Sequence, residues 1–192
     1  MQKLFENWRR YLNEETKDTY GSEVPNMYKA SLKKGVQAIS EEKEEVSVDS
    51  WKHDDAKSYA KELIEKYGMP DASTDDMVLW EDGKISEFKK VYVLDESIPH
   101  ESPKPHHDFV YSTMEIDIPE DKLESIAKAS ESIIVDQLKN EVTARCGDII
   151  ANAITLGFVQ KIVNGEIKPE DSVEEYKKHI LQSKTPEWFK EK

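Results

Sequence analysis

The residues best able to do chemistry gather in one stretch. Ile98-Pro-His-Glu-Ser-Pro-Lys-Pro-His-His-Asp108 holds three of the chain's five histidines beside Glu101 and Asp108. Imidazole nitrogen and carboxylate oxygen together suit zinc or iron. His100, His106, His107 and Asp108 are therefore the candidate metal ligands. The spacing His106-x-Asp108 matches two legs of a two-histidine, one-carboxylate iron site. Downstream of it only His179 is left as a further histidine ligand. The competing reading is a proline-stiffened surface loop with exposed imidazoles.

Two other groupings carry weaker chemistry. Glu115 and Asp117 share a strand face with Tyr111, near Trp80 or Tyr92 of neighbouring strands, where a paired acid and base could sit. The plainer reading is the solvated face of an antiparallel sheet. Arg145-Cys146-Gly147-Asp148 places a thiol beside a cation, which could lower its pKa; a junction between helices is the plainer reading. A phosphate-cradling glycine loop, a Gly-x-Ser-x-Gly elbow and a CxxC pair are all absent from the sequence.

The elements around these residues follow from periodicity. Asp108–Ile118 alternates, with Val110, Ser112, Met114, Ile116 and Ile118 on one face, and reads as a half-buried strand. Pro119, Glu120 and Asp121 open a helix. Leu123, Ile126, Ala127, Ser130, Ile133, Ile134, Leu138 and Val142 recur at helical steps, so this helix is expected to run on to a cap at Gly147. Asp148 caps the next helix, Ile149–Asn164, which is apolar around most of its circumference and is expected at the centre of the fold. Gly157 within it points to a close neighbour.

Upstream, Asp54 or Asp55 caps a helix over Ala56–Lys66, which Gly68 and Pro70 stop. Met77–Trp80 and Phe88–Leu94 are strands, joined through the turn signal Glu81-Asp82-Gly83. Asp95–His107 reads as a long loop. Pro169 starts a last helix with Val173, Tyr176, Ile180 and Leu181 inward, and Trp188 and Phe189 fold back on the body. The expected fold is α+β: a small antiparallel meander of about three strands on a helical layer with one buried central helix. It occupies residues 51–192. Residues 15–50 form a polar connector with a possible helix from Pro25, and residues 1–14 a separate amphipathic helix.

The composition restricts partners. A net charge of −13 and a pI near 4.9 argue against binding nucleic acid through a basic surface, though they leave room for a small local basic patch. The single Cys146 excludes an internal disulfide and fits a reducing compartment. Neither a secretory signal nor a transmembrane run is visible. In residues 1–14, Leu4, Phe5, Trp8, Tyr11 and Leu12 share one helical face. A helix this short is marginal in water and must bury that face on its own domain, a partner or a membrane. The acidic body makes an anionic membrane a poor choice.

Leu4-Phe-Glu-Asn-Trp-Arg-Arg-Tyr-Leu-Asn-Glu14 resembles the N-terminus shared by proteins of large marine contractile-tailed phages (cyanophage-like). It also resembles, in kind, their capsid-targeting leaders. That resemblance covers the leader and brings no activity with it. It implies processing after Glu14, since the prohead protease of that family cuts after glutamate in Leu/Ile-x-Glu and Leu12-Asn13-Glu14 matches. It implies a non-enzymatic virion or head-assembly protein, in the host cytoplasm during assembly, that docks through Leu4, Phe5, Trp8, Tyr11 and Leu12 onto protein partners of the phage head or core. The rival expectation is a small metal-dependent enzyme built on the histidine-rich stretch, with zinc or iron as cofactor.

Overall fold

The computed structural model describes residues 46–101, 104–182 and 184–190. The amphipathic leader, its docking face, the site at Leu12–Glu14 and the connector as far as residue 45 lie outside them. Val46–Lys192 forms one compact unit by itself.

Helix α1 spans Asp54–Tyr67. His53 takes the N-cap position in extended conformation, and Asp54 and Asp55 sit in the first turn, facing the positive end of the helix dipole. Gly68 ends the helix at φ 85°, a conformation open to glycine without strain. Ala56, Ala60, Leu63 and Tyr67 are its buried face, and the helix packs on strand β3 (Lys90–His100).

The other strands are β1 (Ala72–Ser73), β2 (Met77–Glu81), β4 (His106–Glu115), β5 (Ile133–Asp136) and β6 (Glu141–Cys146). They form an antiparallel sheet in the order β1-β2-β3-β4-β6-β5. The meander expected from the sequence is β2-β3-β4, but six strands stand where three were expected. One extra strand is the short edge strand β1, and the other two, β5 and β6, come from the segment read as one long helix. Helix α2 stops at Ala129, having run from Glu120 behind Pro119, and a hairpin follows. The run Ile133-Ile134-Val135 is β-branched, which stiffens χ1 and favours strand over helix. Asn140 holds φ 53° in the connection, a left-handed conformation asparagine tolerates. Leu138, placed by helical spacing on the buried stripe, is 99% exposed in this turn.

The stretch Asp95–His107 is also not a long loop. β3 and β4 continue through it as the arms of a hairpin, with Ile98, Pro99 and His100 opposite Asp108, His107 and His106. β2 pairs with β3 only as far as Leu94, so this arm overhangs its neighbour. Pro99 therefore withholds no N–H from a central ladder, the position in which a sheet accepts proline.

One sheet face carries Val78, Trp80, Val91, Val93, Val110, Val142 and Ala144, all buried. Helix α3 (Ile149–Val163) packs there against β4 and β6. Asp148 caps it by accepting the Ala151 N–H at 2.7 Å. Ala153, Leu156, Phe158, Val159 and Ile162 are fully buried, as expected of a helix without a polar face. Asn152 ties the helix to the sheet, donating to Val110 O at 3.1 Å and Ser112 Oγ at 3.0 Å. A Cβ on Gly157 would lie 2.9 Å from Pro186 Cγ, so the close neighbour is the C-terminal segment. That segment adds Trp188, which donates to Gln160 Oε1 at 2.9 Å, and Phe189 against Phe88.

A 3-10 turn, Pro169–Asp171, leads into helix α4 (Ser172–Gln182). Tyr176 is buried and Ile180 partly so, but Val173 and Leu181 face outward. The helix covers only part of α3, and two of its four expected contacts are left in water. Among the described residues, no helix is long and apolar enough to cross a membrane.

Candidate metal centre

His100 closes β3, and His106 opens β4 directly opposite it. Their rings lie 4.9 Å apart, centroid to centroid. Asp108, two residues into β4, is fully buried between them. His106 Nε2 is 3.0 Å from Asp108 Oδ1, and His100 Nδ1 is 3.5 Å from Asp108 Oδ2. One ligand atom from each of the three residues falls within 4.8 Å of the others.

Hydrogen bonding fixes the chemistry of this cluster. His106 Nδ1 is 2.7 Å from Lys104 O. A carbonyl oxygen only accepts, so Nδ1 carries a proton, and in the neutral form of the ring Nε2 is the nitrogen with the lone pair. That lone pair faces Asp108 Oδ1, itself an acceptor. Although the two atoms are within ion-pair distance, they are not aligned for a hydrogen bond, and Asp108 Oδ1 is buried without a hydrogen-bond partner. Two acceptors facing each other, one of them fully buried, suit a cation between them, a metal ion or a proton on Nε2, with the Cys146 thiol also within reach of that nitrogen. A ligating histidine whose other nitrogen donates to a backbone carbonyl is also the usual arrangement around metals.

The remaining oxygen of Asp108 is taken. Arg145 Nε donates to Oδ2 at 3.1 Å. Burial alone would lower the guanidinium pKa, but Asp108 and Tyr111 together outweigh it and the net shift is upward. Arg145 also bonds Tyr111, whose hydroxyl donates to Glu96 Oε1 at 2.5 Å and whose pKa is raised by burial and by that carboxylate. Tyr92 stacks on Tyr111 with centroids 4.6 Å apart. Glu96 reaches Tyr111 because the β3–β4 register slips between Val93 and Ile98, a bulge that re-aims side chains at the edge of a site.

Cys146, the last residue of β6, brings its Sγ to 3.3 Å from His106 Nε2. This is not a Cys–His–Asp triad. Thiol and carboxylate meet the same ring nitrogen, whereas a triad uses opposite ones. Burial pushes the free thiol up to about 11, which removes the thiolate a nucleophile needs.

The structure thus joins three of the proposed ligands and separates the rest. His107 points away, its Nδ1 3.7 Å from Asp55 Oδ2, because successive strand residues face opposite sides. Glu101 is exposed. His179 stands on α4 against Phe158, 5.4 Å between rings, where burial lowers its pKa. Glu115 is not part of an acid–base pair: Lys89 holds it at 2.5 Å and Glu141 at 2.9 Å. Asp117 is exposed, and Trp80 lies buried on the opposite face of the sheet from Tyr111. Arg145 and Cys146 end strand β6 where it passes into helix α3, a strand–helix junction and not one between helices.

His106 and Cys146 open on a cleft of about 810 Å³, lined also by Tyr59, Phe109, Asp148 and Leu181. Arg145, Cys146 and Ser132, whose Oγ is 3.2 Å from His100 Nδ1, are the site residues that sequence reasoning did not connect to the histidines. The connecting signal is the β5–β6 hairpin: once read as a strand, Glu141–Cys146 lies beside β4, with Cys146 opposite Val110. No protein-family model, no curated protein and no solved structure matches this chain.

Proposed function

We propose that the body of this protein binds one divalent transition-metal ion, zinc in the first place, at His100, His106 and Asp108. The observation that carries this reading is the buried, unpartnered Oδ1 of Asp108 facing the lone pair of His106 Nε2 at 3.0 Å. Nitrogen and oxygen donors about 2.0–2.2 Å from a tetrahedral zinc stand roughly 3.4 Å from one another. The His106 Nε2 to Asp108 Oδ1 separation of 3.0 Å is near that value, and His100 offers its ligand atom within 4.8 Å of the others. Ferrous iron uses the same donor set; the nearby thiol tilts the preference to zinc.

The test is equilibrium dialysis and thermal melting of the untagged full chain. One equivalent of zinc is expected to be retained. At free zinc a thousandfold above Kd the fold gains about 4 kcal/mol, and the melting temperature rises accordingly. His106→Ala abolishes both effects. No retained zinc and an unchanged melting temperature in the unmodified chain would refute the reading.

Residues 1–14 support a second, compatible reading: a leader that docks the metal-binding body onto protein partners, as in the phage heads its sequence resembles. Its supports are the aromatic face of Phe5, Trp8 and Tyr11 with Leu4 and Leu12, the tripeptide Leu12-Asn13-Glu14, and a body, Val46–Lys192, that is a compact unit by itself. The intact mass of the protein from its native particle tests it. A chain beginning at Glu15 is expected, and a chain still beginning at Met1 would contradict processing.

A further inference from the structure

We propose that Cys146 is the fourth ligand of this centre, closing it into a two-histidine, carboxylate and thiolate site that staples the β3–β4 arm to the end of β6. The inference rests on the metal reading above and decides its type. Three protein ligands and an open position make a catalytic centre, while four make a structural one.

Geometry and charge support closure. The Sγ to Nε2 distance of 3.3 Å is close to the roughly 3.6 Å expected between sulfur and nitrogen on one tetrahedral zinc. The neighbouring Arg145 already holds Asp108, so the backbone that carries the thiol is tied to the site. Gly147, next along, lets the two strands approach: a Cβ there would meet His107 O at 3.0 Å. His100, His106 and Asp108 lie within 4.8 Å of one another before any adjustment, and ligation draws the thiol in to join them. Zinc with Asp108 alone leaves one positive charge beside the Arg145 guanidinium in a largely buried place. A thiolate cancels it. The step is balanced: the sulfur–zinc bond forms as the S–H bond breaks, and the proton leaves to solvent.

Cobalt substitution tests the proposal. The chain has one cysteine, so a thiolate-to-cobalt charge-transfer band in the near ultraviolet identifies Cys146 without ambiguity. The untagged full chain loaded with one equivalent of Co²⁺ is expected to show that band together with intense visible bands of tetrahedral cobalt. Cys146→Ser is expected to keep the apo protein's melting temperature, to bind cobalt on the order of 100-fold more weakly, and to lose the ultraviolet band. Cobalt bound by the unmodified chain without the band would overturn the fourth ligand and leave the three-residue centre standing, open toward the cleft. Failure to bind cobalt or zinc at all would overturn the centre itself.

Discussion

Asp108→Ala is expected to cost about 3 kcal/mol of stability and to remove metal binding completely. Removing one partner of a buried ion pair costs about 3–5 kcal/mol, because the other charge is left uncompensated. Here the carboxylate is fully buried but the Arg145 side chain keeps 21% of its surface in water. The orphaned guanidinium can partly rehydrate, which places the effect at the lower end. Asp108→Asn separates the contributions. It keeps the volume and a carbonyl for Arg145, so most of the stability returns, yet it lacks the negative charge a metal site needs. Urea unfolding of the two variants, with and without zinc, reads both effects. If Asp108→Ala unfolds at the same urea concentration as the parent chain, Asp108 does not hold the hairpin arm to β6.

Trp80→Ala is expected to destabilise the body by about 3–5 kcal/mol, the range for deleting a large aromatic side chain from a core. Trp80 is 1% exposed and lies on the packed face of β2. Its Nε1 donates to Gly68 O at 2.9 Å, so it also fastens the end of α1 to the sheet. Trp80→Phe keeps most of the packing and loses that hydrogen bond, a loss of about 1 kcal/mol plus the smaller ring volume. Thermal melting of the three proteins gives the ranking, and a Trp80→Ala protein as stable as Trp80→Phe would contradict the packing described. Neither variant touches the metal centre, so zinc stoichiometry in the folded fraction should stay at one.

Parts of this architecture are visible in the chain because local and tertiary signals agree. Ile149–Val163 is apolar on nearly all sides and sits between a capping aspartate and a terminal asparagine, and it is the buried helix. The strands around Val78 and Val93 alternate as their burial does, whereas β4, expected to be half-buried, is buried on both faces from Asp108 to Met114 because Phe109, Tyr111 and Thr113 are covered as well. The failure at Ile133–Cys146 is one of period. Ile133, Ile134 and Val142 continue the helical spacing of Ile126 by coincidence, while they satisfy a hairpin once β-branching and the asparagine turn are weighed.

That single misreading also hid half the site. His100, His106 and Asp108 stand within one short stretch, so their chemistry is legible from composition alone. Arg145 and Cys146 come from the strand mistaken for helix, and only strand register places them beside Asp108 and His106. His107 fails for a simpler reason: next to His106 in a strand, it must face the other side.

The most direct measurement is anomalous X-ray diffraction from crystals of the zinc-loaded protein, recorded at the zinc edge. One anomalous peak is expected, bounded by His100, His106 Nε2, Asp108 Oδ1 and the Cys146 sulfur, with nitrogen and oxygen at about 2.0–2.2 Å and sulfur at about 2.3 Å. A lattice soaked in zinc that shows no peak there, or that places zinc only on surface carboxylates, would contradict it.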